Sequence, residues 1–176
     1  IIHNTGHIEV NCSLTPLKDM YRIGMQMSLP KNFDKISFFG RGPHENYIDR
    51  KLSAKLGIYS GKVKDFLGNY VNPQENANHM DVRWASLTDK KGMGIKIESS
   101  CKNLLNISAW PYSIYDLEEA DHIHRLPERD FIMLNIDYMQ CGIGNDLSGY
   151  SSLKEEYKIN KNVKYDYGFI IYKCDN

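Results

Sequence analysis

The chain has 176 residues, 41% of them hydrophobic, and its 22 basic residues balance its 22 acidic residues. This length suits one domain with a well-buried core better than two. The balanced charge gives no indication of a nucleic-acid partner or of binding to an anionic membrane. No apolar run approaches the roughly 20 residues of a membrane-spanning helix. We therefore expect a soluble protein with a single domain over residues 1–176.

The start of the chain and its cysteines bear on where the protein works. It opens with Ile-Ile-His-Asn, without an initiator methionine or a basic and then apolar signal segment. This opening predicts a fragment of a longer polypeptide, whose compartment the sequence does not reveal. The four cysteines lie far apart, without Cys-x-x-Cys pairs, and are expected to be free thiols.

The first half of the chain alternates between apolar and polar residues, the period of half-buried strands. Strands are predicted for His7 to Leu14, Ile23 to Leu29 and Asp34 to Phe39. Leucines and a tyrosine at helical spacing between Lys51 and Tyr59, interrupted by glycine, predict one helical turn or an irregular loop. The segment from Phe66 to Asn78 is rich in Asn and Gly and predicts a long structured loop, a type of segment that is often functional.

The second half continues the same pattern. Met80, Val82 and Trp84 predict one strand, and the turn from Asp89 to Gly92 predicts a hairpin with the strand after it. Further elements are predicted as a short helix over Tyr112 to Ala120 and strands over Leu105 to Ala109, Leu134 to Tyr138, Leu153 to Ile159 and Tyr165 to Tyr172. Eight to ten strands with one or two short helices predict an all-β sandwich of antiparallel sheets.

Two groups of side chains contain residue types that bind metal ions. His122 and His124 would share one face of a strand, but no third ligand stands at a recognisable spacing. The acidic residues nearby are interpreted as a solvated helix face, because no calcium-loop pattern accompanies them. They are Asp116, Glu118, Glu119 and Asp121. We therefore predict no metal site in this chain.

Glycoside hydrolysis requires two carboxylates at a defined separation across a sugar pocket. Three acidic residues stand in segments shaped by Gly and Pro, namely Glu45, Asp49 and Glu75, but no catalytic residue is assigned. Aromatic side chains also bind sugars by stacking. The candidates are Trp84, Trp110, Tyr112 and Tyr150, and a place in the core is favoured for Trp84.

The segment Gly40 to Arg50 reads Gly-Arg-Gly-Pro-His-Glu-Asn-Tyr-Ile-Asp-Arg, a bent backbone followed by many polar groups. Its candidate polar rim consists of Arg41, His44, Glu45 and Asn46. Two hypotheses remain open for this rim. It contacts a ligand, or it is a hydrogen-bonded network that fixes the loop.

Four ordered motifs resemble the C-terminal domain of the large β-galactosidases of glycoside hydrolase family 2. They are the Gly40 to Arg50 segment, Tyr-Val-Asn-Pro-Gln-Glu-Asn at 70–76, Leu-Asn-Ile-Asp at 134–137, and Gly-Ile-Gly at 142–144 followed by Asp146. The resemblance runs from about Ile8 to Tyr172. It implies a β-supersandwich related to the galactose mutarotase fold, belonging to a larger multidomain enzyme.

The resemblance also implies where the chemistry lies. The catalytic glutamates and a magnesium ion of such enzymes belong to a separate (β/α)₈ barrel, which needs about 250 residues by itself. This domain would then hold no cofactor, and its partners would be the upstream domains of the polypeptide, the galactoside at their active site and a second copy in a homo-oligomer. The reaction of the whole enzyme would be retaining hydrolysis of terminal β-D-galactosides.

In that family a tryptophan in the loop after Gly-Ile-Gly reaches the mouth of the substrate pocket. Gly149 stands at the matching position here, with Tyr150 beside it and Asp146 earlier in the loop. Two hypotheses follow from this departure. Tyr150 replaces the tryptophan as a stacking platform, or the loop makes no contact with sugar.

Three functions are compatible with the sequence. The first is a non-catalytic module that shapes the substrate cleft and the contacts between domains or subunits of a β-galactosidase. The second is a free-standing carbohydrate-binding or mutarotase-like domain that acts on aldoses through a His and a Glu. The third is a scaffold whose polar rim contacts other domains.

Overall fold

The computed structural model describes residues 1–100, 103–144 and 153–175, and within them the chain forms ten strands, one α-helix and three 3₁₀ helices. The strands are β1 (Ile8–Leu14), β2 (Arg22–Pro30), β3 (Lys35–Gly42), β4 (Lys55–Lys62), β5 (His79–Val82), β6 (Trp84–Thr88), β7 (Gly94–Ser99), β8 (Leu105–Trp110), β9 (Phe131–Gln140) and β10 (Tyr165–Cys174). The helix is α1 (Ile114–Glu119), and the 3₁₀ helices are Val63–Phe66, Ile123–Arg125 and Glu155–Tyr157.

The strands form two antiparallel sheets. The larger has six strands in the order β1-β10-β7-β6-β3-β4, and the smaller has four in the order β2-β9-β8-β5. Consecutive strands pair directly in β3-β4, β6-β7 and β8-β9, with α1 lying in the connection between β8 and β9. The prediction of an all-β sandwich of antiparallel sheets is confirmed.

The core lies between the sheets and consists of alternate residues of the strands. In β9, Leu134 and Ile136 are fully buried, and they share one cluster with Phe38 of β3. Cys12 and Cys141 pack against this cluster as free thiols. The alternation seen in the sequence therefore corresponds to one face turned to the core and one turned away from it.

The prediction for residues 51–59 is wrong, because the chain forms strand β4 from Lys55 to Lys62. β4 pairs with β3 along its whole length and is an edge of the six-stranded sheet. Tyr59 turns inward, with its ring centroid 5.6 Å from that of Phe38, whereas Ile58 is 66% exposed. Pairing with β3 therefore overrides the local helical spacing of the apolar residues.

The alternating run Met80, Val82 and Trp84 is not one strand. The backbone changes sheet at Arg83, so that β5 joins the small sheet and β6 the large one. Trp84 consequently lies on the outer face of the large sheet, partly exposed, with the Lys96 ammonium 5.7 Å from its ring centroid. The expected core position of Trp84 is therefore corrected.

The strand predicted for residues 153–159 is also wrong. Glu155–Tyr157 forms a 3₁₀ helix, and the neighbouring Ile159 makes a single bridge to Met20. Ile159 is nevertheless fully buried in the core. The alternation in this segment reflects one anchoring side chain and not a paired strand.

The predicted short helix is confirmed as α1, but its acidic face is not uniformly solvated. Asp116 is buried and caps the helix by accepting hydrogen bonds from the backbone N–H of Ser113 at 2.7 Å and from its hydroxyl at 2.8 Å. Arg129 completes an ion pair with Asp116. None of the helices in the described residues has the length and apolar character needed to span a membrane.

Candidate functional site

Arg41 anchors the start of the polar segment that follows β3. Its Nε donates to the Asp81 carboxylate, and its Nη1 donates to the Ala54 carbonyl oxygen at 3.0 Å. Asp81 has a φ of 55°, a region that non-glycine residues rarely adopt. The ion pair therefore connects the polar segment to the kink where the chain passes from β5 to β6.

Asn46 is fully buried, and its side chain bonds to three separate backbone groups. Its Nδ2 donates to the carbonyl oxygens of Arg41 at 3.1 Å and His44 at 3.0 Å, and its Oδ1 accepts from the Met80 N–H at 3.0 Å. The Asn78 side chain adds a fourth hydrogen bond by donating to the Asn46 carbonyl oxygen at 2.7 Å. Asn46 thus holds the bend after β3 against the start of β5.

Glu45 connects the same bend to the long loop at 67–78 by hydrogen bonds. Its carboxylate accepts hydrogen bonds from the Tyr70 hydroxyl and from the Ala77 N–H, the latter at 2.8 Å. Arg50 lies 3.5 Å away as a third partner. Ala77 has a φ of 64°, so the carboxylate bonds to a strained backbone position.

His44 differs from the other three residues of the predicted rim. It is exposed, and its Nε2 lies 3.0 Å from the Ser53 hydroxyl. Arg41, Glu45 and Asn46 make their hydrogen bonds to groups of the protein itself. These contacts favour the hypothesis that the rim is a network that fixes the loop.

A cavity of about 520 Å³ opens where β2 begins and β9 ends. This volume lies within the range of roughly 300–1,000 Å³ that is typical of small-molecule sites. Its apolar walls include Tyr21, Ile114, Ile143 and Leu153. Its polar side chains are Arg22, Tyr47, Glu75 and Gln140.

Glu75 and Arg22 form a bidentate ion pair at the cavity. Arg22 Nη1 and Nη2 lie 3.2 Å and 3.1 Å from the two carboxylate oxygens, and Gln140 Nε2 donates to one of them at 3.1 Å. Burial raises the pKa of Glu75, an effect that Arg22 and Gln140 oppose. The Arg22 guanidinium also lies 5.7 Å from the centroid of Trp110, which adds a cation–π contact.

Asp137 lies behind Arg22 and is 1% exposed. Arg22 Nε is 2.8 Å from Asp137 Oδ2, a close ion pair whose angle is poor for a hydrogen bond. Burial raises the pKa of Asp137 to about 7, with Arg22 opposing and Glu75 adding to the rise. The carboxylate fits there because residue 24 is glycine, since a Cβ on Gly24 would lie 1.8 Å from it.

Besides the ion-paired Arg22 Nε and Asp137 Oδ2, three polar atoms around the cavity are buried without a hydrogen-bond partner among the described residues. They are the Tyr47 hydroxyl, Gln140 Oε1 and Asp49 Oδ1. The other oxygen of Asp49 accepts the Gly144 N–H at 2.9 Å, and a Cβ on Gly142 would lie 2.8 Å from this carboxylate. Buried polar atoms without partners are uncommon and call for an explanation.

Comparison with known proteins identifies the family. The model of the β-galactosidase small chain matches residues 1–171. The chain belongs to this family. A β-galactosidase of Priestia megaterium is 36% identical over 173 residues, which are 97% of this chain and 16% of the relative.

Two further relatives show the same proportion. The β-galactosidase BgaC of Bifidobacterium adolescentis is 38% identical over 137 residues, covering 77% of this chain and 13% of the relative. A β-galactosidase of Halalkalibacterium halodurans is 30% identical over 155 residues, covering 88% of this chain and 15% of the relative. The chain therefore spans about one sixth or less of the β-galactosidases that it matches.

The loop after Gly144 is the part of the chain for which sugar contact was predicted from the family resemblance. Asp146, Gly149 and Tyr150, the predicted substrate-binding residues, lie outside the described residues. Gly142 and Gly144, which precede them, line the cavity. The predicted contact of Tyr150 with sugar stays a prediction.

Sequence reasoning missed the polar centre of the cavity in this small-chain domain. The sequence indicates Glu75 as a candidate carboxylate, but no pattern in it assigns a role to Arg22, Tyr47 or Gln140. Asp137 belongs to the Leu-Asn-Ile-Asp motif, and a carboxylate within a strand rich in apolar residues is a signal of a buried charge. Arg22 and Glu75 are 53 positions apart, so periodicity could not bring them together.

The described residues show no cluster of three or more His, Cys, Asp or Glu side chains that could hold a metal ion. His122 and His124 have ring centroids 5.5 Å apart, and His122 Nδ1 lies 3.3 Å from Asp121. Both histidines are exposed. This arrangement matches a solvated turn.

Proposed function

We propose that this chain is a non-catalytic domain of a larger β-galactosidase, in which it shapes the substrate cleft and the contacts with other domains or subunits. The observation that carries the proposal is the family match over residues 1–171, combined with relatives of which the chain is only about one sixth. The activity would be hydrolysis of terminal β-D-galactosides. The catalytic glutamates and magnesium would lie in the remainder of the enzyme.

The geometry of the acidic residues supports a non-catalytic role. A retaining glycosidase needs two carboxyl groups about 5–5.5 Å apart that face the sugar from opposite sides. Glu45 is occupied by Tyr70 and the Ala77 N–H, and Glu75 by Arg22 and Gln140. The Glu45 carboxylate thus joins two loops, and the Glu75 carboxylate joins its loop to the ends of β2 and β9.

The cleft-facing surface of this domain would be the end where the cavity opens. The Gly142 to Gly144 segment lines the cavity there and leads into the loop with Tyr150. Tyr150 would be the residue that stacks on the substrate, in place of the family tryptophan. The alternative of a mutarotase-like enzyme has less support, because none of the described residues lining the cavity is a histidine.

A chimera tests the proposal. The 173 matching residues of the Priestia megaterium β-galactosidase would be deleted or replaced by this chain, and hydrolysis of a chromogenic β-galactoside would be measured. We expect the deleted enzyme to be inactive, the chimera to regain activity, and this chain alone to show no turnover. Sedimentation and circular dichroism would verify that each protein is folded.

Two outcomes would contradict the proposal. Turnover by the purified chain alone would show that it contains a catalytic site. A folded chimera without activity, in contrast to an active full-length relative, would show that this domain does not fulfil the role. Faster interconversion of α- and β-galactose in polarimetry than in buffer would favour the mutarotase-like alternative.

A further inference from the structure

The outer edge of β1 has few of the usual protections of a sheet edge. An edge strand presents N–H and C=O groups to further pairing, and proteins commonly shield them with Lys, Pro or a short strand. Among the other three edges, β4 has Lys55 and Lys62 at its ends, β2 ends with Pro30, and β5 has only four residues. β1 has seven residues, of which Glu9 is the single charged one. Of the four edges, β1 is therefore the most open to an added strand.

The sandwich is also incompletely covered on the side where β1 lies. The ring centroid of Tyr138 in β9 is 5.8 Å from that of Tyr167 in β10, and His79 in β5 is 4.3 Å from Phe38 in β3. The two sheets thus face each other with β1 and β2 as the edges of one side. Between them lies a β1–β2 seam of partly buried side chains that face the core, namely Val10, Cys12, Leu14, Met25 and Met27. An additional strand with apolar side chains would cover this seam.

The first three residues of the chain show how a strand pairs with this edge. The Ile1 nitrogen donates to the Glu9 carbonyl oxygen at 2.7 Å, and the Glu9 N–H donates to the Ile1 carbonyl oxygen at 2.9 Å. Residues 1–3 thus run antiparallel to β1 as the first arm of a hairpin and cover only its first two residues. Since Glu9 directs its backbone groups outward, Asn11 and Ser13 do the same, because alternate residues of a strand point to the same side.

We propose that the edge of β1 binds the polypeptide that precedes Ile1 in the larger enzyme, as an antiparallel strand that continues the direction of residues 1–3. The inference rests on the proposed function, and the relatives have about five sixths or more of their residues outside the matched region. The large sheet would then have a seventh strand, which would join this domain to the remainder of the enzyme through backbone hydrogen bonds.

The register set by residues 1–3 predicts the character of this preceding segment. Its second and fourth residues, counted back from Ile1, would exchange backbone hydrogen bonds with Asn11 and Ser13 and would have side chains on the outer face, where both of these residues are exposed. Its first, third and fifth residues would face the β1–β2 seam and are expected to be apolar. They would lie opposite Val10, Cys12 and Leu14.

Amide hydrogen exchange measured by nuclear magnetic resonance tests the proposal. The 176-residue chain would be compared with the same chain extended by about ten of the residues that precede it in the full-length polypeptide, enough to span β1. We expect the Asn11 and Ser13 N–H groups to exchange about tenfold or more slowly in the extended chain, since each gains a hydrogen bond. The Cys12 N–H points to β10 in both chains and should exchange equally in both.

Substitutions at Ser13 separate the backbone hydrogen bond from the side chain. Ser13→Pro removes an N–H that points away from β10, and should restore fast exchange at Asn11 in the extended chain. Ser13→Ala retains the N–H and should keep the exchange slow. Circular dichroism would verify that both variants are folded.

A second pair of variants leaves the 176-residue chain unchanged, and so decides the question even where Ser13→Pro does not fold. Lys as the third residue before Ile1 would place a charge in the β1–β2 seam and should restore fast exchange at Asn11 and Ser13. Lys as the fourth residue would lie on the outer face and should keep the exchange slow.

The outcomes separate this inference from the proposed function. Equal exchange of the Asn11 and Ser13 amides in the two chains would overturn the added strand while leaving an active chimera unaffected. Slow exchange already in the 176-residue chain would also overturn it, and a dimer in sedimentation would then identify a second copy as the partner of β1. Slow exchange in the extended chain alone, combined with an inactive, folded chimera, would retain the added strand and remove the proposed function.

Discussion

Asp137 and Asp116 are both buried carboxylates, but their environments act in opposite directions. Asp116 accepts hydrogen bonds from Arg129 and Ser113, which lower its pKa to about 2. Asp137 has lost its hydration inside the sheet, and burial outweighs its ion pair with Arg22, so its pKa rises to about 7. The depth of burial and the number of donors aimed at the carboxylate together decide which effect dominates.

Asp137 should give the protein a distinctive pH dependence. Between about pH 4 and 7 the native state retains a proton that the unfolded chain has released. The contribution of Asp137 to stability is therefore present at low pH and is lost as the pH rises through this window. Asp137→Asn removes this titration. As the pH rises through the window, the free energy of unfolding of the variant should increase relative to that of wild type by up to about 1.4 kcal/mol per pH unit.

Urea unfolding of both proteins at several pH values between 4.5 and 7.5 checks this expectation. The comparison with a variant is needed because His79, whose pKa burial lowers to about 4, contributes with the opposite sign in an overlapping window. Asp130→Asn, at an exposed position, should follow the wild-type slope. A difference between Asp137→Asn and wild type that does not vary with pH would contradict the prediction.

At the scale of elements, the candidate site combines the ends of β2 and β9 with the loops beside them. The bend after β3, the loop at 67–78 and the segment after β9 meet through side chains such as Asn46, Glu45 and Asp49. Each of these bonds to a backbone N–H of another segment. Ordering a long loop costs conformational entropy. These hydrogen bonds offset that cost and keep the cavity wall in one conformation.

Asn46 should be the most sensitive residue of this loop frame. Asn46→Ala removes its bonds to Arg41, His44 and Met80 and leaves buried backbone groups unpaired. We expect a loss of about 2–4 kcal/mol in free energy of unfolding, measured by urea denaturation, since each unpaired buried group costs about 1–3 kcal/mol. Asn72→Ala, in the exposed part of the loop, should change stability by less than about 0.5 kcal/mol. Equal losses of unfolding free energy in the two variants would show that the hydrogen bonds of Asn46 do not hold the loops in place.

At the scale of the whole molecule, stability comes from the contact of the two sheets. One buried cluster unites residues from both sheets, and Leu134 lies in it fully buried on β9, an inner strand of the smaller sheet. Ile58, by contrast, is a large apolar residue on the outer face of the edge strand β4 and is 66% exposed. Residues of similar chemistry thus differ in energetic weight according to their place in the sandwich.

Leu134→Ala and Ile58→Ala make this difference measurable. Leu134→Ala should lower the free energy of unfolding by about 2–5 kcal/mol, because it removes buried surface and leaves a cavity. Ile58→Ala should change it by less than about 0.5 kcal/mol. Thermal or urea unfolding followed by circular dichroism gives both values, and a small effect at Leu134 would contradict the core described above.

The predictions from sequence succeeded where the pattern was local. Period-two alternation identified β1, β2, β3 and most later strands, and Ser113 preceding an apolar run indicated the helix α1. They failed at β4, at the break between β5 and β6, and at residues 153–159. In each of these cases a partner outside the local segment determines the backbone, namely β3 for β4, β8 for β5 and Met20 for Ile159.

For the candidate site, too, the sequence indicates residues through local patterns but does not show their long-range contacts. The polar segment from Gly40 to Arg50 and the residue Glu75 stood out in the sequence, as did the motif that contains Asp137. Their chemistry did not, because Glu75 gains Arg22 and Gln140, and Asp137 gains its raised pKa, only through contacts between segments 53 to 115 positions apart. These contacts could be found only in the folded chain.

The amino-acid sequence by itself determined the strand-rich character of this chain, its balanced charge, and its resemblance to β-galactosidases. Those properties depend on periodicity, composition and ordered motifs, which are all written along one dimension. The tertiary structure alone decided that the bend after β3, the loop at 67–78 and the segment after β9 meet near the ends of β2 and β9. They line a cavity there, beside buried polar atoms that have no hydrogen-bond partner among the described residues. The physical reason is that burial and the pairing of charges depend on neighbours in space, which local sequence patterns do not encode.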